Sequence, residues 1–287
     1  VFQKGGDSLM GRYFPYRLHP VSVAEIVSPA VIETEIRPAP KRISDKDFES
    51  LYRFGGFPEP YLKRSPTFYN RWKRVRMRQL LAEDLRDLTN IRELRDVEMM
   101  ATMLRAAAGQ LLNYSSISKM VQASVDSIKR WMETLKSLYY CFTIQPWTKN
   151  VTRSLLKEPK LYLWDWSLVE DKGARVENLV ASHLLKAVHF WTDRGLGEYG
   201  LYFLRDKEKR EVDFLVTKNE EPWFLVEVKG SMKDALSKSL YYFQQELQVP
   251  HAFQLAFDMP YEPIDVFSEQ KKGPMIVSLR TFLSQLV

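Results

Sequence analysis

The sequence predicts a mixed α+β chain in two unlike halves, on three observations. From residue 65 to residue 138 apolar residues recur at three- and four-residue steps, the spacing of helices packed on a core. From residue 199 to residue 229 they alternate with period two, the spacing of strands. Charge divides along the same line: the net value is 0 over residues 1–60, +5 over 61–90, +5 over 91–160 and −4 over 161–287. At 287 residues and 45% hydrophobic, the chain is long enough for more than one core. The expected division is 1–60, a Pro- and Gly-rich lead-in; 61–160, a basic helical region; and 161–287, an acidic α/β region.

Composition removes several classes of function. The single cysteine, Cys141, rules out an intrachain disulfide and fits a reducing, cytoplasmic compartment. No apolar run approaches the roughly 18 residues of a membrane span. No Gly-x-x-x-x-Gly-Lys-Ser/Thr occurs, so no P-loop is expected. The histidines His19, His183, His189 and His251 are scattered and have no metal-ligand spacing, and no Gly-x-Ser-x-Gly elbow is present. The opening Val1-Phe2-Gln3-Lys4 carries neither an initiator Met nor a signal region, and reads as a start inside a larger protein.

The lead-in holds short motifs, Leu9-Met10-Gly11-Arg12, Arg17-Leu18-His19-Pro20 and Phe54-Gly55-Gly56-Phe57-Pro58-Glu59-Pro60, and supports only short elements joined by turns. A helix is expected over 65–89, with Tyr69, Trp72, Val75, Leu80, Leu81 and Leu85 inward and Arg71, Lys73, Arg74, Arg76 and Arg78 on the other face. That face is either a DNA-facing surface or a solvated one. Three helices are then expected over about 97–112, 115–122 and 125–138, the last capped by Ser124. Ser127, Lys129, Arg130 and Thr134 fall on the open side of the third. A short helix, a tight turn and a longer basic helix is helix-turn-helix order. With strands expected at 139–147 and 151–166 as a wing, the region reads as winged-helix-like and DNA-binding, or as a three-helix structural module with no ligand that serves as a dimer or domain interface.

The acidic region gives the order α-β-β-β-α-β: a helix over 175–191, strands over 199–205, 211–218 and 223–229, a helix over 232–247 and a strand over 252–257. A late strand over 275–279 and a short helix follow. The hairpin 211–229 carries the chemistry. A turn centred near Glu220 places Asp213 opposite Glu227, with Cβ atoms roughly 4.5–5.5 Å apart, and puts Lys229 on the same face. Two carboxylates directly opposite repel, and a divalent metal with an adjacent lysine would compensate both. A bare Asp plus Glu-x-Lys also fits an exposed, salt-bridged hairpin face. Glu177, at the start of the 175–191 helix, completes the set.

This order, with Glu177 on the helix, Asp213 on the second strand and Glu227-x-Lys229 on the third, resembles the PD-(D/E)-x-K, restriction-endonuclease-like core. The motifs LMGRYFPYRLHP, FGGFPEP, LYLWDWSLVEDKGARVENLVASHLL, LRDKEKREVDFLV and LVEVKGS resemble the C-terminal part of a family of bacterial and archaeal AAA-type P-loop ATPases. The second half of that family is a domain of unknown function with this nuclease-like core. The resemblance implies Mg²⁺ (or Mn²⁺) held by Asp213, Glu227 and Glu177, with Lys229 orienting the attacking water or neutralising charge. It also implies ATP bound only through a preceding ATPase portion to which Arg12 would belong, while the basic helix faces make Ser127, Lys129, Arg130, Thr134, Arg74 and Arg78 the residues expected to hold DNA. The alternative expectation is a non-catalytic DNA-binding or assembly module. No membrane partner is expected, and a homo-oligomer is left open.

Overall fold

The computed structural model describes residues 14–80, 94–148, 158–268 and 273–287. Among them, α1 (Val23–Val27), α2 (Asp45–Phe54), α3 (Pro58–Lys63), α4 (Pro66–Arg78), α5 (Leu94–Ala106), α6 (Tyr114–Val121) and α7 (Val125–Ser137) precede the first strands, β1 (Cys141–Pro146) and β2 (Lys160–Leu163). After a 3-10 turn at Trp166–Leu168 come α8 (Lys172–Asp193), β3 (Tyr199–Arg205), β4 (Glu211–Lys218), β5 (Glu221–Lys229), α9 (Lys238–Leu247), β6 (His251–Ala256), β7 (Met275–Ser278) and α10 (Leu279–Gln285). The strands make one mixed sheet in the order β2-β1-β3-β4-β5-β6-β7. The fold is mixed α+β, as expected.

The central hairpin follows from its turn. Asn219 and Glu220 both have positive φ, 51° and 68°, the backbone a two-residue hairpin loop needs to match strand twist. Pairing then runs Val216↔Phe224, Leu215↔Leu225 and Phe214↔Val226, and one further step sets Asp213 against Glu227. The structure starts β5 at Glu221, two residues before the expected Trp223, through a register shift between Val216 and Thr217. On its other side β4 pairs Leu204↔Val212 and Tyr202↔Leu215, so β4 spends one residue more than β3 over this span. That bulge falls on Asp213 and Phe214, and a bulge re-aims a side chain without breaking the sheet.

Alternation along these strands feeds two cores. Phe214, Val216, Phe224 and Val226 meet Val176, Leu179, Val180 and Leu184 of α8, while Val212, Leu215 and Leu225 meet Leu240 and Phe243 of α9. The sheet is therefore covered by helices on both faces. Asp171 caps α8, accepting from the Ala174 N–H at 2.8 Å, and the expected stripe of Val176, Leu179, Val180, Leu184, Val188 and Trp191 is buried. The helix before β6 begins at its Ser237 cap and not at Met232, because the Met232 N–H and the Ser231 hydroxyl are tied to Asp258.

Cores cross both expected boundaries. Val23, Ile43, Phe48, Leu51 and Tyr61 join the α8 core. The Val23 N–H donates to His183 Nε2 at 3.1 Å, and Trp166 Nε1–H donates to the Leu51 carbonyl at 3.0 Å. Gly55-Gly56 of the lead-in motif allows this closeness: Gly55 has φ 81°, and a Cβ there would sit 2.5 Å from Asp165 Oδ1.

The basic helical region departs from expectation in its details. α5 ends at Ala106, not near residue 112, since Gly109 turns left-handed (φ 77°) and residues 109–112 bind β2. The Gly109 N–H donates to the Leu161 carbonyl (2.8 Å), Leu161 N–H to Gln110 (3.0 Å) and Leu112 N–H to Pro159 (2.7 Å). α6 is capped by Asn113, whereas α7 is capped by Ser124 as expected, with Gln122-Ala123 turning between them. On α4, Val75 is 54% exposed, although its spacing matched the inward stripe; Leu81 and Leu85 lie outside the described residues. β1 and β2 pair antiparallel, and β1 also pairs parallel with β3 through Gln145↔Tyr202, so the expected wing strands extend the main sheet. Residues 149–157 between them lie outside the described residues.

Candidate functional site

At the edge where β4 begins and β5 ends, side chains from α8, β2, β4 and β5 converge. Asp213 is the hub. Its Oδ2 accepts from the Val228 N–H at 2.9 Å, which ties it to β5, and its Oδ1 lies 3.5 Å from the Lys160 ammonium of β2. On the β5 side, Lys229 Nζ donates to Glu227 Oε1 at 2.8 Å. On the α8 side, Glu177 Oε1 accepts from the Tyr162 hydroxyl at 2.7 Å and lies 3.5 Å from Lys160. Glu211, two residues before Asp213, is 2.6 Å from Lys160 and 3.1 Å from Arg205. The structure thus brings Glu177, Asp213, Glu227 and Lys229 into one neighbourhood. It adds Lys160, Tyr162, Glu211 and Arg205, which the sequence reading did not single out.

The electrostatics follow from burial and from crowding around Asp213. Burial first, and the Asp213 charge second, lift the Glu177 carboxyl to about 7, against the opposing pull of Lys160 and Tyr162. The same two causes lift Glu227 to about 7, against Lys229. Burial works against the Lys160 ammonium, yet Glu177, Asp213 and Glu211 reverse this and hold its pKa above the ordinary lysine value. Lys229 behaves alike, with Glu227 and Asp213 outweighing its burial, so it keeps its charge at neutral pH.

Lys160, Glu177, Glu211 and Arg205 line an open cleft of about 360 Å³ whose other wall is the turn at Gly109 and Gln110. The turn lies close to the carboxylate: a Cβ on Gly109 would stand 3.4 Å from both Glu177 oxygens, in ordinary contact.

A hard divalent cation takes one or two protein carboxylates, with waters and substrate oxygens for the rest. Asp213 and Glu227 fit that chemistry. They offer only oxygen, they oppose one another across the hairpin, and Glu227 Oε2 is buried with no hydrogen-bond partner. Among the described residues no three His, Cys, Asp or Glu side chains are disposed to share a metal ion. The fit is therefore for two carboxylates, Glu177 being engaged by Tyr162 and Lys160.

The residues expected to face DNA lie on two helices. Arg74 and Arg78 are exposed on α4, and Lys129 and Arg130 are exposed on α7. Ser127 and Thr134 are half-buried and bonded within their own helix: the Ser127 N–H donates to Ser124 Oγ at 3.1 Å and Thr134 Oγ1 to the Arg130 carbonyl at 3.1 Å. Arg76 lies 3.6 Å from the Phe57 ring centroid and is held against it. Arg12 lies outside the described residues.

Two family models meet at Lys172, the first residue of α8. Residues 45–172 match one described as Domain of unknown function (DUF8612), and residues 172–266 match one described as Domain of unknown function (DUF4143). The chain is 21% identical over 199 residues to an uncharacterized protein of Mycobacterium tuberculosis (strain ATCC 25618 / H37Rv), an alignment covering 67% of this chain and 45% of that protein. An uncharacterized protein of Mycobacterium bovis matches to the same extent. An uncharacterized protein of Haemophilus influenzae is 22% identical over 257 residues, covering 83% of this chain and 63% of that protein. The chain spans about half the length of the mycobacterial relatives. No solved structure matches it. Among the described residues no helix is long and apolar enough to cross a membrane.

Proposed function

We propose that this chain is the DNA-processing portion of an ATPase, and that its acidic cluster hydrolyses phosphodiester bonds with the help of a divalent cation such as Mg²⁺. The observation that carries the reading is the meeting of Asp213, Glu227 and Lys229 on one hairpin with Glu177 of α8, beside an open cleft. The run α8-β3-β4-β5-α9-β6 has the order of a restriction-endonuclease-like core.

Each residue has a task that its surroundings support. Asp213 and Glu227 hold the cation, and the Val228 N–H fixes Asp213 in place. When bound, the cation would stabilise charge on the scissile phosphate and lower the pKa of a bound water. Lys229, kept as an ammonium 2.8 Å from Glu227, offers positive charge to the phosphate as negative charge develops. α6, its turn and α7 act as a winged-helix-like clamp, with Lys129 and Arg130 on phosphates. The greater length of the relatives leaves room for an ATPase portion, to which Arg12 is assigned.

The test is incubation of the purified protein with supercoiled, linear and single-stranded DNA in Mg²⁺ or Mn²⁺, beside Asp213→Asn. Cleavage lost in the variant supports the reading; no cleavage of any form, with identical behaviour of the variant, refutes it. A second reading, a non-catalytic DNA-binding or assembly module, is favoured by the Lys160 ammonium, which already gives the carboxylates around it a cation from the chain itself. It would be supported by DNA binding that is indifferent to Asp213→Asn and to divalent cations.

A further inference from the structure

Lys160 is an unusual neighbour for a cation site. Its side chain is only 4% exposed, and its Nζ reaches three carboxylates on two elements: Glu211 at 2.6 Å, Glu177 at 3.5 Å and Asp213 at 3.5 Å. An ammonium offers three N–H donors, and a buried ammonium is stable only when such partners replace water. Around this edge four carboxylates, Glu177, Glu211, Asp213 and Glu227, face three cations, Lys160, Arg205 and Lys229. With all four ionised, one negative charge is left over, and Glu227 Oε2 is buried without a partner. A divalent ion held by Asp213 and Glu227, with the Lys160 ammonium withdrawn, would balance the ionised set, four negative charges against two from the ion and one each from Arg205 and Lys229. The cleft in front of Lys160, Glu177 and Glu211 supplies the way in for the ion and the way out for the ammonium.

We propose that Lys160 is a resident counter-ion that occupies the acidic cluster in the metal-free protein and leaves it when a divalent cation binds. Lys160 sits on β2, which is bonded through Leu161 to Gly109 and Gln110 of the basic helical region. Cation entry is thereby linked to the position of that region. This rests on the metal reading of the site given above and adds to it a competitor built into the chain.

Two measurements test it, neither of them an activity. The first is calorimetric titration of Mn²⁺ into wild type, Lys160→Met and Asp213→Asn. Lys160→Met is expected to bind Mn²⁺ at least about tenfold more tightly than wild type, because the ion no longer displaces an ammonium, and Asp213→Asn is expected to lose binding. Wild type and Lys160→Met binding equally would overturn the counter-ion role while sparing the metal reading. No binding by either would overturn both. The second uses wild type alone, in case Lys160→Met does not fold: acylation of lysines by a water-soluble reagent, followed by peptide mass spectrometry with and without saturating Mn²⁺. Lys160 is expected to be protected without metal and labelled several-fold faster with it. Protection unchanged by Mn²⁺ that is bound would overturn the proposal.

Discussion

Glu227→Gln should make the protein more stable at pH 8, and the size of the gain can be worked from the site. The carboxyl titrates at 4.5 in ordinary surroundings and at about 7 here, because it is buried beside Asp213. Below about pH 4.5 it is protonated in folded and unfolded chains alike and contributes nothing to the pH dependence. Between about 4.5 and about 7 the folded chain keeps a proton that the unfolded chain has released, so stability falls as pH rises through that window. Above it the whole burden is present: raising the carboxyl from 4.5 to about 7 costs about 3.5 kcal/mol, at about 1.4 kcal/mol for each tenfold change in acidity. The side chain is 10% exposed, so solvent screens little of this. The amide keeps the shape and removes the charge, but it loses the ionic partner of Lys229 and brings a donor into a crowded spot, at a cost of about 1 kcal/mol. A net gain of about 2.5 kcal/mol at pH 8 follows, with little difference or a slight loss at pH 4.5. Urea unfolding of both proteins at the two pH values measures it. A gain at pH 8 no larger than that at pH 4.5 would refute the argument that the hairpin carries a compressed negative charge. The same substitution should weaken Mn²⁺ binding, so stability and cation affinity move in opposite directions, as expected of a residue kept for a ligand.

Three further outcomes are expected. On the acid side, burial holds His19 at about 3 and His183 and His189 at about 4, so these rings fold neutral. Their contribution is complete above about 6.5 and is lost as pH falls toward 4, opposite in sign to that of Glu227, so it is read as a difference: the urea midpoint of His189→Leu should gain on that of wild type as pH falls over that range. Gly55→Ala should destabilise by about 3 kcal/mol or more, about 1–3 of it from a backbone (φ 81°, ψ 176°) that glycine alone adopts readily and the rest from the overlap with Asp165. Asp165→Ala in that background should relieve the overlap but not the backbone cost, and the bonds it loses from Ser167 are measured by Asp165→Ala alone, so that chemical denaturation of the three variants separates the parts. Lys129→Ala/Arg130→Ala should weaken DNA binding in fluorescence anisotropy and reduce the slope of log affinity against log salt by about 2. An unchanged slope would remove α7 from the DNA-facing surface.

The hairpin was the most legible part of the chain because its information is local. Period-two alternation and the turn at Asn219-Glu220 fix which residues oppose one another, and the pairing of Phe214 with Val226 carries Asp213 to Glu227 as expected. α7 was legible for the same reason, since Ser124 both ends the turn and caps the helix. Lys160 was not legible, and the cause is topological. It lies 51 residues before Glu211, on a strand expected to belong to a separate wing, and only the parallel pairing of β1 with β3 brings β2 into the same sheet. Val75 failed differently: its spacing is right for the inward stripe, and Tyr69 and Leu80 of that stripe are buried, but Val75 is left exposed among the described residues, so periodicity named the face and not how far along α4 it is covered. One local sign of Lys160 did exist. A lysine that opens the run Leu161-Tyr162-Leu163-Trp164, buried along its length, needs anions to satisfy it. A chain whose strand β4 alternates Glu211 with Asp213 has them to offer.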